Sequence, residues 1–147
     1  MKLFVIFFAG LITLCPNSWA ELGATSMTSN NGHIRSISTL PSPNPAQYTI
    51  KKIITRDDIE IHEYNGLNGL VFAVTWQGET KPDLAPLLGT YLSRYNAALN
   101  QPLAGRSPVA INDVDLVIQT GGRMNHFFGL AFLPSLAPQG VLMSEVK

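Results

Sequence analysis

Cysteine is almost absent from this chain. Cys15 is the one cysteine among 147 residues, and it lies in an apolar N-terminal stretch that has the features of a removable signal. The remaining chain would then hold no cysteine, so it could form no disulfide and supply no thiol nucleophile. A domain of this size must therefore fold on the strength of its apolar core.

Charge and long apolar runs are also sparse. Charged side chains make up 14% of the residues, with ten basic against ten acidic ones. This balance favours neither a nucleic acid nor an anionic membrane surface as a partner. After the first twenty residues no apolar run is long enough to span a bilayer, so we expect no membrane span in the processed chain.

Sequence motifs of catalysis and of cofactor binding are missing. The chain contains no G-x-S-x-G, no P-loop and no dinucleotide fingerprint. Its His, Asp and Glu residues also lack the spacing of metal ligands. We therefore predict no metal and no cofactor.

The first twenty residues have the pattern of a secretory signal peptide. Lys2 supplies the positive charge, the stretch Leu3 to Leu14 is apolar, and Ser18 and Ala20 are the small residues of a cleavage site. We expect cleavage after Ala20 and a periplasmic or secreted protein. Residues 21–46 are rich in Ser, Thr, Asn and Pro, which is typical of a flexible leader. A single folded domain is predicted over residues 47–147.

Five stretches of this domain have the β-branched and aromatic content of strands: 48–55, 59–64, 70–76, 114–120 and 123–133. After the third of them, Pro82-Asp83 is a helix start signal, and leucines and tyrosines recur at helical spacing as far as Leu99. The order β-β-β-α-β-β predicts an α+β fold, in which an antiparallel sheet of about five strands carries one main amphipathic helix on one face.

The apolar pattern predicts how the second and third strands pair. The large residues of the third strand alternate with small ones and should share the core face: Leu70, Phe72, Val74 and Trp76. A four-residue loop then places Ile61 opposite Phe72, because the register follows the apolar residues. Glu60, His62 and Tyr64 are predicted to lie together on the other face.

One acid–base pair follows from the last two strands. Gly121-Gly122 is a strong hairpin signal, and as a two-residue loop it places Val117 opposite His126. Asp115 then lies diagonal to His126, which makes these two residues weak catalytic candidates. A structural pair, at the surface or half-buried, is the more common role of two such residues.

Three aromatic residues are weak candidates for a binding site: Tyr64, Trp76 and Phe128. Together they could form a platform for a glycan or a protein partner, since aromatic residues anchor interfaces. Aromatic residues build cores more often, so core packing is the more common role of these three, and the platform stays open as the alternative.

A series of short motifs runs along the predicted domain. The central motifs are Glu63-Tyr64, Gly69, Val71-Phe72-Ala73-Val74, Trp76, Gly78, Pro82-Asp83-Leu84, Leu87-Leu88-Gly89 and Tyr91. The later motifs are Gly121-Gly122, Met124, Phe128-Gly129, Ala131, Leu133-Pro134, Pro138 and Gly140. Together they resemble the family called domain of unknown function 2844, over about Tyr48 to Val141. The resemblance implies an exported proteobacterial protein and no established activity. The family pattern Gly-Gly-His-Met has Arg123 in place of its histidine here, so the resemblance implies no required histidine at that position.

We expect a small exported domain that binds a cell-envelope protein partner without catalysis, because no catalytic group of residues emerges from the sequence. Two alternatives stay open. One is an envelope hydrolase that uses His126 and Asp115. The other is a carrier of a small apolar ligand, held in a cavity between the helix and the sheet.

Overall fold

The computed structural model describes residues 21–26, 34–100 and 109–147. The predicted signal peptide lies outside these residues. In the part of the chain that is described, no helix is both long enough and apolar enough to cross a membrane.

The described strands form one antiparallel sheet of seven, in the spatial order β1-β2-β3-β4-β7-β6-β5. Their bounds are β1 Ile34–Leu40, β2 Tyr48–Thr55, β3 Glu60–Gly66, β4 Val71–Gly78, β5 Ala110–Asn112, β6 Val117–Arg123 and β7 His126–Phe132. The predicted α+β class and the antiparallel sheet are confirmed. The sheet has two more strands than the five expected, namely β1 and β5.

Strand β1 lies inside the stretch that was expected to be a flexible leader. It pairs antiparallel with β2, with Ile37 opposite Ile53. Ile34 and Ile37 pack against the core. The serines and the threonine of β1 resemble a linker in composition, yet its few apolar residues have core partners, and this burial fixes the strand on the edge of the sheet.

The segment from Glu21 to Ser26 is also part of the fold. Leu22 is only 1% exposed, and its N–H donates to the carbonyl oxygen of Leu87 at 3.1 Å. The N–H of Val71 donates to the carbonyl oxygen of Ala24 at 2.9 Å. The folded unit therefore includes residues well ahead of position 47, where the domain was predicted to begin.

The predicted helix is interrupted. It consists of α1 Ala85–Leu88, a 3-10 turn Gly89–Tyr91 and α2 Leu92–Leu99. Gly89 has a φ of +50°, which L residues with a Cβ rarely adopt. A Cβ atom at this position would also lie 1.9 Å from Cγ of Glu21. The start signal acts as predicted, since Asp83 Oδ1 accepts from the N–H of Ala85 at 3.0 Å.

Apolar clusters lie on both faces of the sheet. The helices pack on one face, which we call the helix-covered face; its cluster includes Ile53, Ile61, Val74, Trp76, Leu87, Leu88, Tyr95 and Ile118. On the other face, which we call the second face, the cluster contains Tyr48, Ile50, Tyr64, Phe72, Ala73, Phe132, Val141 and Val146. The last two residues belong to the segment after β7, which contains a 3-10 turn at Met143–Glu145. The sheet is thus the middle of three layers.

A β-bulge interrupts the pairing of β3 with β4. Tyr64 lies opposite Ala73, but Asn65 lies opposite Val71. Phe72 is therefore an extra residue on β4, and such a residue bends the strand and disturbs the alternation of its side chains. This is why Phe72 packs in the cluster of the second face. The prediction that Phe72 shares a face with the other large residues of β4 is wrong.

The pairing of Ile61 also differs from the prediction. It lies opposite Trp76 rather than Phe72, which is a shift of four positions. Strand β3 continues to Gly66, two residues further than predicted, and the first residue paired after the turn is Leu70, one residue later than the four-residue loop would place it. These changes account for three positions, and the bulge adds the fourth. A shift by an even number preserves the face of each side chain. Ile61 accordingly stays on the core face as predicted.

Candidate functional site

The hairpin of β6 and β7 turns at Met124 and Asn125, since Arg123 pairs with His126. Asn125 has a φ of +60°, a conformation that Asn tolerates better than most residues. The prediction that Gly121-Gly122 form this turn is wrong.

These two glycines lie within β6, opposite Phe128 and Phe127 respectively. A Cβ atom at Gly121 would lie 2.7 Å from Cζ of Phe128, and one at Gly122 would lie 2.8 Å from Cδ1 of Phe127. The glycines therefore leave room for the two rings. A Gly-Gly pair can therefore make room for aromatic rings within a strand, and it can also form a turn.

The corrected hairpin separates His126 from Asp115. Asp115 precedes β6, whereas His126 pairs with Arg123 at the far end of that strand. Seven strand residues span roughly 20 Å at about 3.3 Å per residue. Asp115 instead accepts hydrogen bonds from Arg94, at 2.7 Å and 3.1 Å. These bonds lower the pKa of Asp115, so its carboxylate is engaged in an ion pair.

The three candidate aromatic residues do not form one platform. Tyr64 and Trp76 are both buried, in the clusters of opposite faces. The hydroxyl of Tyr64 donates to the main-chain oxygen of Lys147 at 2.7 Å and accepts from its N–H at 2.9 Å. Burial raises the pKa of Tyr64. Of the three, only Phe128 is exposed, to 49%.

Phe128 belongs to a part of the second face where polar side chains replace apolar ones. Two rows of paired residues cross β3, β4, β7 and β6. The first row is His62, Thr75, Leu130 and Gln119. The second row is Glu60, Gln77, Phe128 and Gly121. His126 extends this surface, since its ring centroid lies 5.7 Å from that of Phe128. We call the two rows and His126 together the open sheet face. Much of it lines a shallow depression of about 280 Å³, bounded on one side by Val146 and Lys147.

A charge network lies at one side of the open sheet face. Lys52 Nζ is 2.7 Å from Glu60 Oε2, and His62 Nε2 is 2.8 Å from Glu60 Oε1. The hydrogen bond from Lys52 holds the pKa of Glu60 below its usual value, although partial burial opposes this, and the contact with His62 adds to the lowering. His62 Nδ1 lies 3.2 Å from the main-chain oxygen of Lys147. Both oxygens of Glu60 are therefore engaged.

These groups are suited to recognition. The amides of Gln77 and Gln119 each offer two donors and one acceptor oxygen, and both residues are exposed. Phe128 adds an apolar ring between them. In chemical terms the surface offers hydrogen bonds and ring contacts to a ligand.

Sequence reasoning identified Phe128 but missed Gln77 and Gln119. Glu60, His62 and Tyr64 were correctly predicted to share a face. Gln119 could be placed beside Phe128 only with the true register of β6 and β7. Gln77 could be placed there only with the pairing of β4 and β7, which the sequence did not reveal. The alternation of polar and apolar residues around Gln77 was the signal available in the sequence.

A second polar group, which the sequence did not reveal, lies inside the helix-covered face. Glu63 is fully buried and lies opposite Lys51 on β2. Ser26 Oγ donates to Glu63 Oε2 at 2.8 Å, and Lys51 Nζ donates to Ser26 Oγ at 2.5 Å. Buried charges require such partners. This group therefore ties the segment from Glu21 to Ser26 to the sheet.

An apolar groove of about 620 Å³ lies between α2 and the β6–β7 hairpin. Its apolar walls include Trp76, Leu92, Tyr95, Leu99, Val109 and Phe127. The groove is open to solvent. Trp76 is buried at its inner wall, and Leu88 is buried in the core. Across the described ranges, no group of three or more His, Cys, Asp or Glu residues could hold a metal ion.

Fold and surface together define a small α+β domain, with one sheet face under helices and the other partly covered by the segment after β7. The chain belongs to the family described as Protein of unknown function (DUF2844), whose model matches residues 18–146. This match confirms the resemblance seen in the sequence motifs. Neither the curated proteins nor the solved structures contain a match to this chain.

Proposed function

We propose that this chain is an exported, non-catalytic domain that binds a protein of the cell envelope through the open sheet face. The observation that carries the proposal is Phe128. Its ring is 49% exposed and lies over Gly121, with Gln77 and Gln119 beside it. Aromatic residues are enriched at protein interfaces, where polar groups surround them.

The partner must match this chemistry. An apolar side chain on the partner would cover Phe128, and polar groups around it would pair with the two glutamine amides. Export is supported by the signal-peptide pattern of the first twenty residues. The hydrolase alternative loses its basis, because Asp115 is bound to Arg94 and lies at the other end of β6 from His126.

Photo-crosslinking in the native envelope tests the proposal. A benzoylphenylalanine in place of Phe128, introduced into the full chain in cells, should capture one dominant partner, which mass spectrometry identifies. The matched control places the same group at Leu67, which is 74% exposed on the β3–β4 loop. Phe128→Ala should weaken the binding of that partner roughly tenfold or more, as expected for a central aromatic residue, and Leu67→Ala should leave it unchanged.

Two results would contradict the proposal. One is equal crosslinking from both positions, which would mean that the open sheet face has no preferred partner. The other is turnover of a substrate by the processed protein with loss of that activity in His126→Ala, which would make the domain an enzyme.

The apolar groove between α2 and the β6–β7 hairpin supports a second candidate function, the carriage of a single acyl chain. Its volume is within the range of ligand sites, and its walls are mostly apolar. A fluorescent long-chain fatty acid should bind saturably to the processed protein. Leu99→Glu, at a wall residue that is 44% exposed, should weaken this binding at least about tenfold, because burying a carboxylate beside an acyl chain is costly.

Val114→Glu is the matched control, since Val114 is 96% exposed and is not among the groove residues. This change should leave fatty acid binding as it is. An unmodified protein that shows no saturable binding would rule out the carrier function without affecting the partner proposal, because the two sites share only part of their walls.

A further inference from the structure

Strand β1 is the end strand of the described sheet. One of its edges pairs with β2, and among the described strands none pairs with the other edge. An edge strand presents a row of N–H and C=O groups to which a further strand can bind. The opposite end of the sheet differs, because β5 has only three residues. The two ends therefore offer very different lengths of backbone for pairing.

Strand β1 has little of the usual protection of an edge, and what it has lies at its beginning. It contains no proline and no lysine, which proteins commonly place on exposed edge strands. Its one charged residue is Arg35, which forms an ion pair with Asp58 of the same chain. A bulge at the same position disturbs only the beginning of the strand, between Ile34 and Ser36. The rest of β1 is uncharged and continues in regular pairing to Leu40.

The pattern of polar and apolar residues along β1 is symmetric about its central residue, Ile37. Ser36 and Ser38 flank the centre, Arg35 and Thr39 come next, and the two ends are the apolar Ile34 and Leu40. Two antiparallel copies centred on Ile37 would therefore place Ser36 opposite Ser38 twice, whereas the bulge turns Ile34 to the helix-covered face and Leu40 packs on the second face. An interface with two-fold symmetry needs this kind of self-complementary surface.

We infer that β1 pairs with β1 of a second copy of this chain, around a two-fold axis at Ile37, and joins the two sheets into one. Ser36 and Ser38 are both exposed and two positions apart, so they point to the same side of the sheet. The surface that one strand pair buries is smaller than that of a stable dimer interface. The dimer is therefore weak, and its population depends on protein concentration.

Charge substitutions at the two serines test both the dimer and its register. In Ser36→Lys/Ser38→Lys, two like-charged pairs face each other across the axis. In Ser36→Lys/Ser38→Glu, the same positions form two attractive pairs. Each variant is produced from the full chain, purified after export and compared with unmodified protein by sedimentation equilibrium over a wide concentration range.

We expect the unmodified protein to show a monomer–dimer equilibrium. The Lys/Lys variant should have a dissociation constant about tenfold higher, because like charges directly opposite each other destabilise a strand pair. The Lys/Glu variant should dimerise at least as well as the unmodified protein, and this gain should diminish at high salt. Mixing Lys/Lys with Ser36→Glu/Ser38→Glu chains should restore dimers that neither variant forms alone.

Since Ser38 lies opposite Lys52 in its own sheet, the folding of each variant is checked separately by circular dichroism. If the Lys/Lys chain fails to fold, the Lys/Glu chain by itself still tests the register, because its dimer should weaken at high salt. A protein that is monomeric at every concentration would overturn the inference. The edge of β1 would then be open to a strand of another protein. A dimer that is equally strong in all variants would also overturn it, because its interface would then lie elsewhere.

Discussion

Two glycines of the β6–β7 hairpin lie beneath aromatic rings of neighbouring strands, but the two rings differ in burial. Gly129 lies opposite Trp76, and a Cβ atom there would be 2.2 Å from Trp76 Cζ2. Gly121 lies opposite Phe128, and a Cβ atom there would be 2.7 Å from Phe128 Cζ. Trp76 is enclosed in the core, whereas Phe128 is half-exposed. The same added methyl group should therefore have unequal effects.

We predict that Gly129→Ala lowers the free energy of unfolding by about 1–3 kcal/mol, the usual cost of overfilling a packed core. Gly121→Ala should cost less, because the Phe128 ring has solvent on one side and can move. Urea unfolding followed by circular dichroism gives both values, and the fluorescence of Trp76 should change only in the first variant. If Gly121→Ala proved the more harmful change, the exposed position of Phe128 would be in doubt.

At the scale of elements, the sequence predicts which segments form helices and strands better than it predicts how the strands pair. The helix start at Asp83, the α+β class and the isoleucine face of β3 followed from local patterns. The β6–β7 register did not, because Gly-Gly signals a turn and also leaves space beneath an aromatic ring. Met124-Asn125, the actual turn, carries a weaker turn signal. The bulge at Phe72 is likewise invisible in one sequence, since it depends on how two strands meet.

The candidate site was predictable only in part, for the same reason. The three candidate residues are all aromatic, and their spacing does not predict which of the three rings is exposed: Tyr64, Trp76 or Phe128. Burial of Tyr64 depends on the segment after β7, whose Lys147 main chain bonds its hydroxyl. Burial of Trp76 depends on the helices. Such contacts join residues far apart in the chain, and periodicity cannot predict them.

At the scale of the whole molecule, the segments before β1 and after β7 complete opposite layers. Leu22 contributes to the cluster of the helix-covered face, and Val146 contributes to that of the second face. Glu21 Oε1 accepts the N–H of Thr90 at 2.9 Å, which ties the first segment to the 3-10 turn between the helices.

This arrangement predicts that a residue in the expected leader determines the stability of the whole domain. Leu22→Ala should lower the free energy of unfolding by about 2–5 kcal/mol, since it removes a fully buried side chain and leaves a cavity. Leu67→Ala is the matched control: Leu67 is 74% exposed, so this change should stay within about 0.5 kcal/mol. Denaturant unfolding of the processed protein measures both values. Equal values for the two variants would mean that residues 21–26 are not part of the cooperative unit, and that the domain begins, as its composition first indicated, nearer to β2.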